Sequence, residues 1–203
     1  MDQEKQEQTP DKNDVQNDIL LAALRLFAEK GYFNASLTDI ADAAGLKATS
    51  AIYHHFKSKQ MIAAALYANI CDSLSISVDD IRRRNQKPSE QLRGIVDLLF
   101  RLADEAPDVM QFLLFLNINE ILPEEKPLLE TAPFLKIIKI IQAGTKAGEI
   151  RNISPHLSFA YFFGIVNATL RLVLTGVLDK KAEAYHSLTW LAAWNTIAKN
   201  KTG

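Results

Sequence analysis

The sequence predicts an all-α chain in which a head of three short helices precedes a larger helical body. Three observations carry this prediction. Glycine and proline are scarce, 8 and 7 in 203 residues, against 48% hydrophobic residues. Apolar residues recur at helical rather than alternating spacing. Capping residues, glycines or prolines bound the apolar segments.

In residues 15–30, Ile19, Leu20, Ala23, Leu24, Leu26 and Phe27 fall on one wide face, and Gly31 supplies the stop. Ser36, followed three positions on by Asp39, is an S-x-x-D start for a short helix to about Ala44, ended by Gly45. A second short helix is expected from Thr49 to His55, and Ser58 caps a long one reaching Arg84. NQKPSE, residues 85–90, has turn chemistry and marks a joint. Helical patterns then cover 90–105, 108–121, 127–147, 155–176 and 180–199, separated by Pro107, Pro123, Gly148 with Pro155, and Gly176 with Asp179. No repeat of fixed period is present. The expected division is a disordered tail at 1–14, a head at 15–60 and a body at 61–203.

Composition narrows the function. The net charge is −1, and the single cysteine, Cys71, excludes an intrachain disulfide framework and fits a reducing, cytoplasmic compartment. Without a partner motif, Cys71 reads as an inert packing residue. The start, MDQEKQEQTPDKND, lacks the apolar core of a signal peptide, so no export is expected. Residues 157–178 are apolar, but Asn167 and Arg171 interrupt them, and an arginine near a bilayer centre costs about 2.5–3.5 kcal/mol. A soluble helix buried on more than one side is the better reading, with no membrane partner. The four histidines, His54, His55, His156 and His186, lack metal-ligand spacing. Neither a nucleophile elbow nor a phosphate-cradling glycine loop occurs, so no metal, cofactor or enzymatic role is expected.

One stretch stands apart. GLKATSAIYHHFKSK, residues 45–59, holds lysines, histidines, a tyrosine and hydroxyl residues within an acid-free window from Ala43 to Cys71. An even spread of the 24 acids would place about three there. Two short helices joined by a glycine turn read as a helix-turn-helix packed on the first helix. Ile52 and Phe56, four apart, point inward with Ile40, Ala41 and Ala44, leaving Thr49 or Ser50, Tyr53, His54 and Lys57 outside. A donor surface with no carboxylate suits double-stranded DNA, whose phosphates accept hydrogen bonds from hydroxyl, ammonium and N–H groups. Thr38 and Lys59 are placed for phosphate. Lys47, Thr49, Ser50 and His54 lie near the leading end, where base edges are read. Taken singly, each of these residues is as often a solvated or packing residue; their arrangement on one short helix is more specific than any member.

The run ILLAALRLFAEKGYFNASLTDIADAAGLKATSAIYHHFKSKQMI, residues 19–62, closely resembles the DNA-binding region of TetR-family transcriptional regulators. The resemblance rests on AALRLFAEKGY, on SLTDIADAAG and on the YHHFKSK exit. It implies a helix-turn-helix DNA-binding domain followed by a larger helical effector-binding and dimerisation domain, acting as a homodimer on a palindromic operator. The resemblance is imperfect at one place: the family pattern G-x-x-x-x-x-x-Y is one residue shorter than Gly45 to Tyr53. The turn at 47–50 is expected to absorb the addition, because Ile52 and Phe56 must stay inward.

The resemblance also implies that the last two long helices pair with those of a second copy, and their composition agrees. Phe162, Ile165, Leu172, Leu188, Leu191 and Trp194 are the expected interface residues. An effector pocket is expected around Phe112, Phe115, Asn119, Tyr161, Asn167 and Arg171, polar or aromatic residues set in apolar helices. Such a pocket suits a hydrophobic or amphipathic small molecule, with Arg171 able to meet an acidic group. The expected function is a transcriptional repressor released by such an effector. A helical carrier or enzyme with an incidental helix-turn-helix, or a DNA-bound adaptor for a protein partner, is the alternative.

Overall fold

A computed structural model describes residues 12–199. Its helices are α1 (Lys12–Lys30), α2 (Leu37–Ala43), a 3-10 helix (Thr49–His54), α3 (Lys59–Arg84), α4 (Pro88–Glu105), α5 (Pro107–Phe115), α6 (Ile118–Ile121), a 3-10 turn (Leu128–Glu130), α7 (Ala132–Lys146), α8 (Pro155–Leu174) and α9 (Glu183–Ile197). Among the described residues there is no strand, only one antiparallel bridge between Ile150 and Ala198. The fold is all-α, as the apolar periodicity predicts. Residues 1–11 of the expected tail lie outside the described residues, and helix α1 begins at Lys12 rather than at 15.

The chain divides into two compact units between Leu66 and Tyr67. In the first, Ile19, Ala23 and Phe27 of α1, Ile40 and Ala41 of α2, and Ile52, Phe56 and Ile62 form the core. Helix α2 is fixed at both ends by its own sequence. Ser36 Oγ accepts from Asp39 N at 3.0 Å while Ser36 N donates to Asp39 Oδ2 at 2.9 Å, completing a capping box. At the other end Gly45 takes a φ of +70°, and Leu46 N and Gly45 N donate to Ala41 O and Asp42 O, a Schellman closure. The Ser36 hydrogen bonds hold the Asp39 carboxyl below the usual carboxylate range.

The second unit buries Leu92, Val96 and Phe100 of α4, Phe112 of α5, Ile140 and Ile141 of α7, and Phe162 and Val166 of α8. Prolines open α4, α5, α7 and α8 within their first two residues, where a missing N–H breaks no helical bond. Pro133 also explains why α7 starts at Ala132 and not at 127: a proline farther inside would strip the turn before it of a donor. The expected helix at 108–121 is two pieces, because Leu116 adopts an extended φ, ψ of −77°, 133°.

Side chains from distant segments finish several of these helices. Asp104 of α4 accepts from Ala182 N at 2.7 Å and Glu183 N at 3.1 Å, capping α9 in place of a local residue. Glu149 Oε2 accepts from Ser89 N at 3.0 Å at the start of α4. Lys136 of α7 reaches α3, donating to Ser75 Oγ at 2.6 Å and Asp79 Oδ2 at 2.5 Å, and this holds the Asp79 carboxyl down. Helices α3 and α8 have the length and composition of membrane spans. In α8, Phe159, Phe162, Phe163 and Val166 face the core, while Leu157, Tyr161 and Leu172 stay exposed.

Candidate nucleic-acid interface and ligand cavity

The donor-rich stretch forms one outward surface. Lys47, Ser50, Tyr53, His54 and Lys57 are exposed, Tyr53 by 57%, while Ile52 and Phe56 are buried beneath them. The inward register is therefore kept, as expected. Thr49 and Ser50 already belong to the helix, and the segment winds as a 3-10 helix, with Ala51 N donating to Ala48 O at 3.0 Å and His55 N to Ile52 O at 2.9 Å. Thr38, exposed on α2, accepts from Thr49 Oγ1 at 3.3 Å and ties the two short helices together.

Lys59 has a different position from the phosphate role expected of it. Its ammonium donates to Tyr32 O and Ala35 O, both at 2.8 Å, and lies 4.4 Å from the Tyr32 ring centroid. Burial lowers its pKa and raises that of Tyr32. The side chain is thus spent on holding the α1–α2 loop. Ser58 is the expected cap, its Oγ accepting from Met61 N at 3.2 Å at the start of α3.

The second unit contains an apolar cavity of about 110 Å³ between α3, α4, α5, α7 and α8. Leu74, Ile95, Leu113, Leu114, Phe134, Phe159 and Phe163 line it, with Asn167 its polar member. Of the six residues expected to line a pocket, Asn167 alone does so. Phe112 is fully buried in the core away from the cavity. Asn119 and Tyr161 are exposed elsewhere, since α5 breaks before Asn119 and Tyr161 lies on the outer side of α8. Phe115 is exposed and carries the Arg171 guanidinium 4.2 Å from its ring centroid. The cavity aromatics Phe134, Phe159 and Phe163 continue through Phe162 to Trp190 and Trp194, each ring within 5.8 Å of the next.

Phe162 is also corrected as an interface residue: it is fully buried within the protomer. Leu172, Leu188 and Leu191 are exposed, the latter two by 73% and 55%, and Ile165 and Trp194 are half-buried. With Leu157, Tyr161, Gly164 and Ala168 they make an uncovered, largely apolar face on α8 and α9. Cys71 is buried and its thiol is pushed up by that burial, as befits a packing residue.

Residues 19–66 match the model of the family described as bacterial regulatory proteins, tetR family. The match covers the helices of the first unit and ends at Leu66. The HTH-type transcriptional repressor KstR2 of Mycobacterium tuberculosis is similar to this chain, 35% identical over 83 residues. That match covers 41% of this chain and 41% of KstR2, so it spans less than half of that relative's length. A TetR family transcription regulator from Marinobacter aquaeolei VT8 shares the fold with a TM-score of 0.75 at 20% identity, over 93% of this chain and 97% of that one. FadR from Bacillus subtilis, solved in complex with stearoyl-CoA, does so with a TM-score of 0.73 at 20% identity, over 87% and 96%.

Sequence reading missed Phe134, Phe159 and Phe163 as cavity residues. Their aromatic character alone did not set them apart from core packing, and only tertiary placement separates them from Phe112 and Phe162.

Proposed function

We propose that this chain is a TetR-family, effector-responsive, DNA-binding transcriptional regulator of the cytoplasm, a repressor released from a palindromic operator by a small hydrophobic or amphipathic ligand. The observation that carries the reading is the exposed, carboxylate-free donor surface at 47–57, set on a buried Ile52–Phe56 core within the segment that matches the family. Thr38, Tyr53 and Lys57 contact phosphate; Lys47, Thr49, Ser50 and His54 face base edges. Lys59 acts through the loop it holds, and only its backbone N–H at the start of α3 faces phosphate. The similar proteins, the repressor KstR2 and a FadR solved with stearoyl-CoA, support a ligand-responsive regulator.

The active form is a homodimer through the apolar face of α8 and α9, so two heads meet two half-sites about one helical turn, or a multiple of it, apart. The ligand acts by binding better to a dimer whose heads are wrongly spaced for the operator. Leu188→Arg is expected to give monomers by light scattering and to abolish operator binding.

Selection of bound fragments from genomic DNA by the purified protein is expected to return palindromic sites. Affinity for them is expected to fall steeply with salt, by a log–log slope of about 0.9 per phosphate contact. Absent or salt-insensitive binding to duplex DNA would instead favour a helical carrier.

A further inference from the structure

We infer that the effector carries an anionic group and that Arg171, at the rim of the apolar cavity, is the residue that meets it. This rests on the reading of the cavity as the effector site. Asn167 lines the cavity, and Arg171 follows it by four residues on the same side of α8. The Arg171 guanidinium donates to the carbonyl of Leu114, whose side chain is part of the cavity wall, and lies over the Phe115 ring. Leu114 sits in the last turn of α5, where carbonyls lack helical donors, so Arg171 is the cap of that helix end.

Its partners are all neutral. Among the described residues Arg82 and Arg83 each pair with an aspartate of their own helix, but no carboxylate lies within ion-pair distance of Arg171. Arg171 is itself exposed, so its charge beside an apolar cavity is met by a carbonyl dipole, a ring face and solvent. A carboxylate or phosphate offers a guanidinium full charge attraction and two parallel hydrogen bonds, where a single carbonyl offers one bond and a dipole. A ligand that places its apolar body in the cavity and a carboxylate or phosphate at the rim therefore displaces the Leu114 carbonyl from Arg171.

The size of the cavity gives that exchange a purpose. At about 110 Å³ it is smaller than the roughly 300–1,000 Å³ usual for ligand pockets, so its wall must give before a ligand of ordinary size fits. Leu113 and Leu114 form the part of the wall that Arg171 holds, and Leu129, another lining residue, is 55% exposed. Trading the carbonyl for the ligand's anion frees the end of α5 as the ligand enters.

The test titrates the full-length protein with decanoate and decan-1-ol, and with a fused-ring carboxylic acid and its alcohol, by calorimetry. Decanoyl-coenzyme A is a further arm, separating a free acid from a phosphate-bearing conjugate as the source of the anion. For at least one body, the acid or the conjugate is expected to bind at least tenfold more tightly than the alcohol. In Arg171→Leu that preference vanishes while the alcohol's affinity is kept, and Arg171→Lys retains most of it. Arg83→Gln, in the separate polar groove of Arg82, Arg83 and Lys139, leaves the preference unchanged. Equal binding of anion and alcohol, a preference that survives Arg171→Leu, or one lost in Arg83→Gln overturns the assignment while leaving the cavity as the effector site. If nothing in the series binds, the cavity reading fails, and the anion assignment with it.

Discussion

The two compact units hold their helices in place by different means. In the first, the bonds that shape the ends of α2 are local: the capping box spans three residues and the Schellman closure lies within the turn that follows, while Thr49 reaches back to Thr38 and Lys59 to Tyr32 and Ala35. In the second, helix ends and helix pairs are fixed from afar, by Asp104 on α9, Glu149 on α4, Arg171 on α5 and Lys136 on α3. A locally specified unit tolerates changes elsewhere in the chain. One specified by distant partners transmits them.

Phe56→Ala is the strongest way to break the contrast. Truncating this buried ring is expected to cost the first unit about 3–5 kcal/mol and to abolish DNA binding. The fluorescence of Trp190 and Trp194, both beyond Leu66, should unfold at an unchanged denaturant midpoint. A midpoint that moves by the same amount would mean that the units fold as one.

Lys59→Ala and Tyr53→Phe sharpen the division of labour within the first unit. Removing the ammonium leaves two loop carbonyls without their donor and is expected to lower stability by about 1–3 kcal/mol. Tyr53→Phe, at an exposed position, should leave the melting curve unchanged and weaken binding to all DNA sequences alike, by filter-binding titration. A shift in preferred sequence for Tyr53→Phe would move Tyr53 from phosphate to base contact.

The capping groups provide a matched pair. Ser36→Ala and Asp104→Ala are each expected to cost about 1 kcal/mol, the first in the amide-exchange protection of α2, the second in the tryptophan-monitored transition. The smallest effect is on pH. Asp39 and Asp79 both have lowered folded pKa values, from the Ser36 and Lys136 hydrogen bonds respectively. Their contributions are present above the ordinary carboxylate range and are lost as pH falls through the lowered values. Asp39→Asn should flatten the acid limb for the first unit and Asp79→Asn for the second.

This contrast also sets what could be read from the chain alone. The S-x-x-D start at Ser36, the glycine at 45, the cap at Ser58 and the inward pair Ile52 and Phe56 are short-range features, and each falls where its residue types dictate. Lys59 was misread because its partners, the carbonyls of Tyr32 and Ala35, are 27 and 24 residues away. The cavity was hidden for the same reason. Phe112 and Phe163 are alike as sequence, and only packing sends one into the core and makes the other a wall. Phe162 and Leu172 on α8 differ likewise: both are apolar, but only Leu172 faces outward.

The winding of Thr49–His54 has a consequence for choosing operators. In a 3-10 helix residues three apart eclipse one another and rise by about 6 Å, whereas an α-turn spreads the same pair over about 4.5 Å and off line. Ser50 and Tyr53 are therefore stacked in one file along the helix, farther apart along its axis than an α-turn would set them. If the proposed DNA reading holds, the half-site that this file of hydroxyls meets has to be measured on this protein itself.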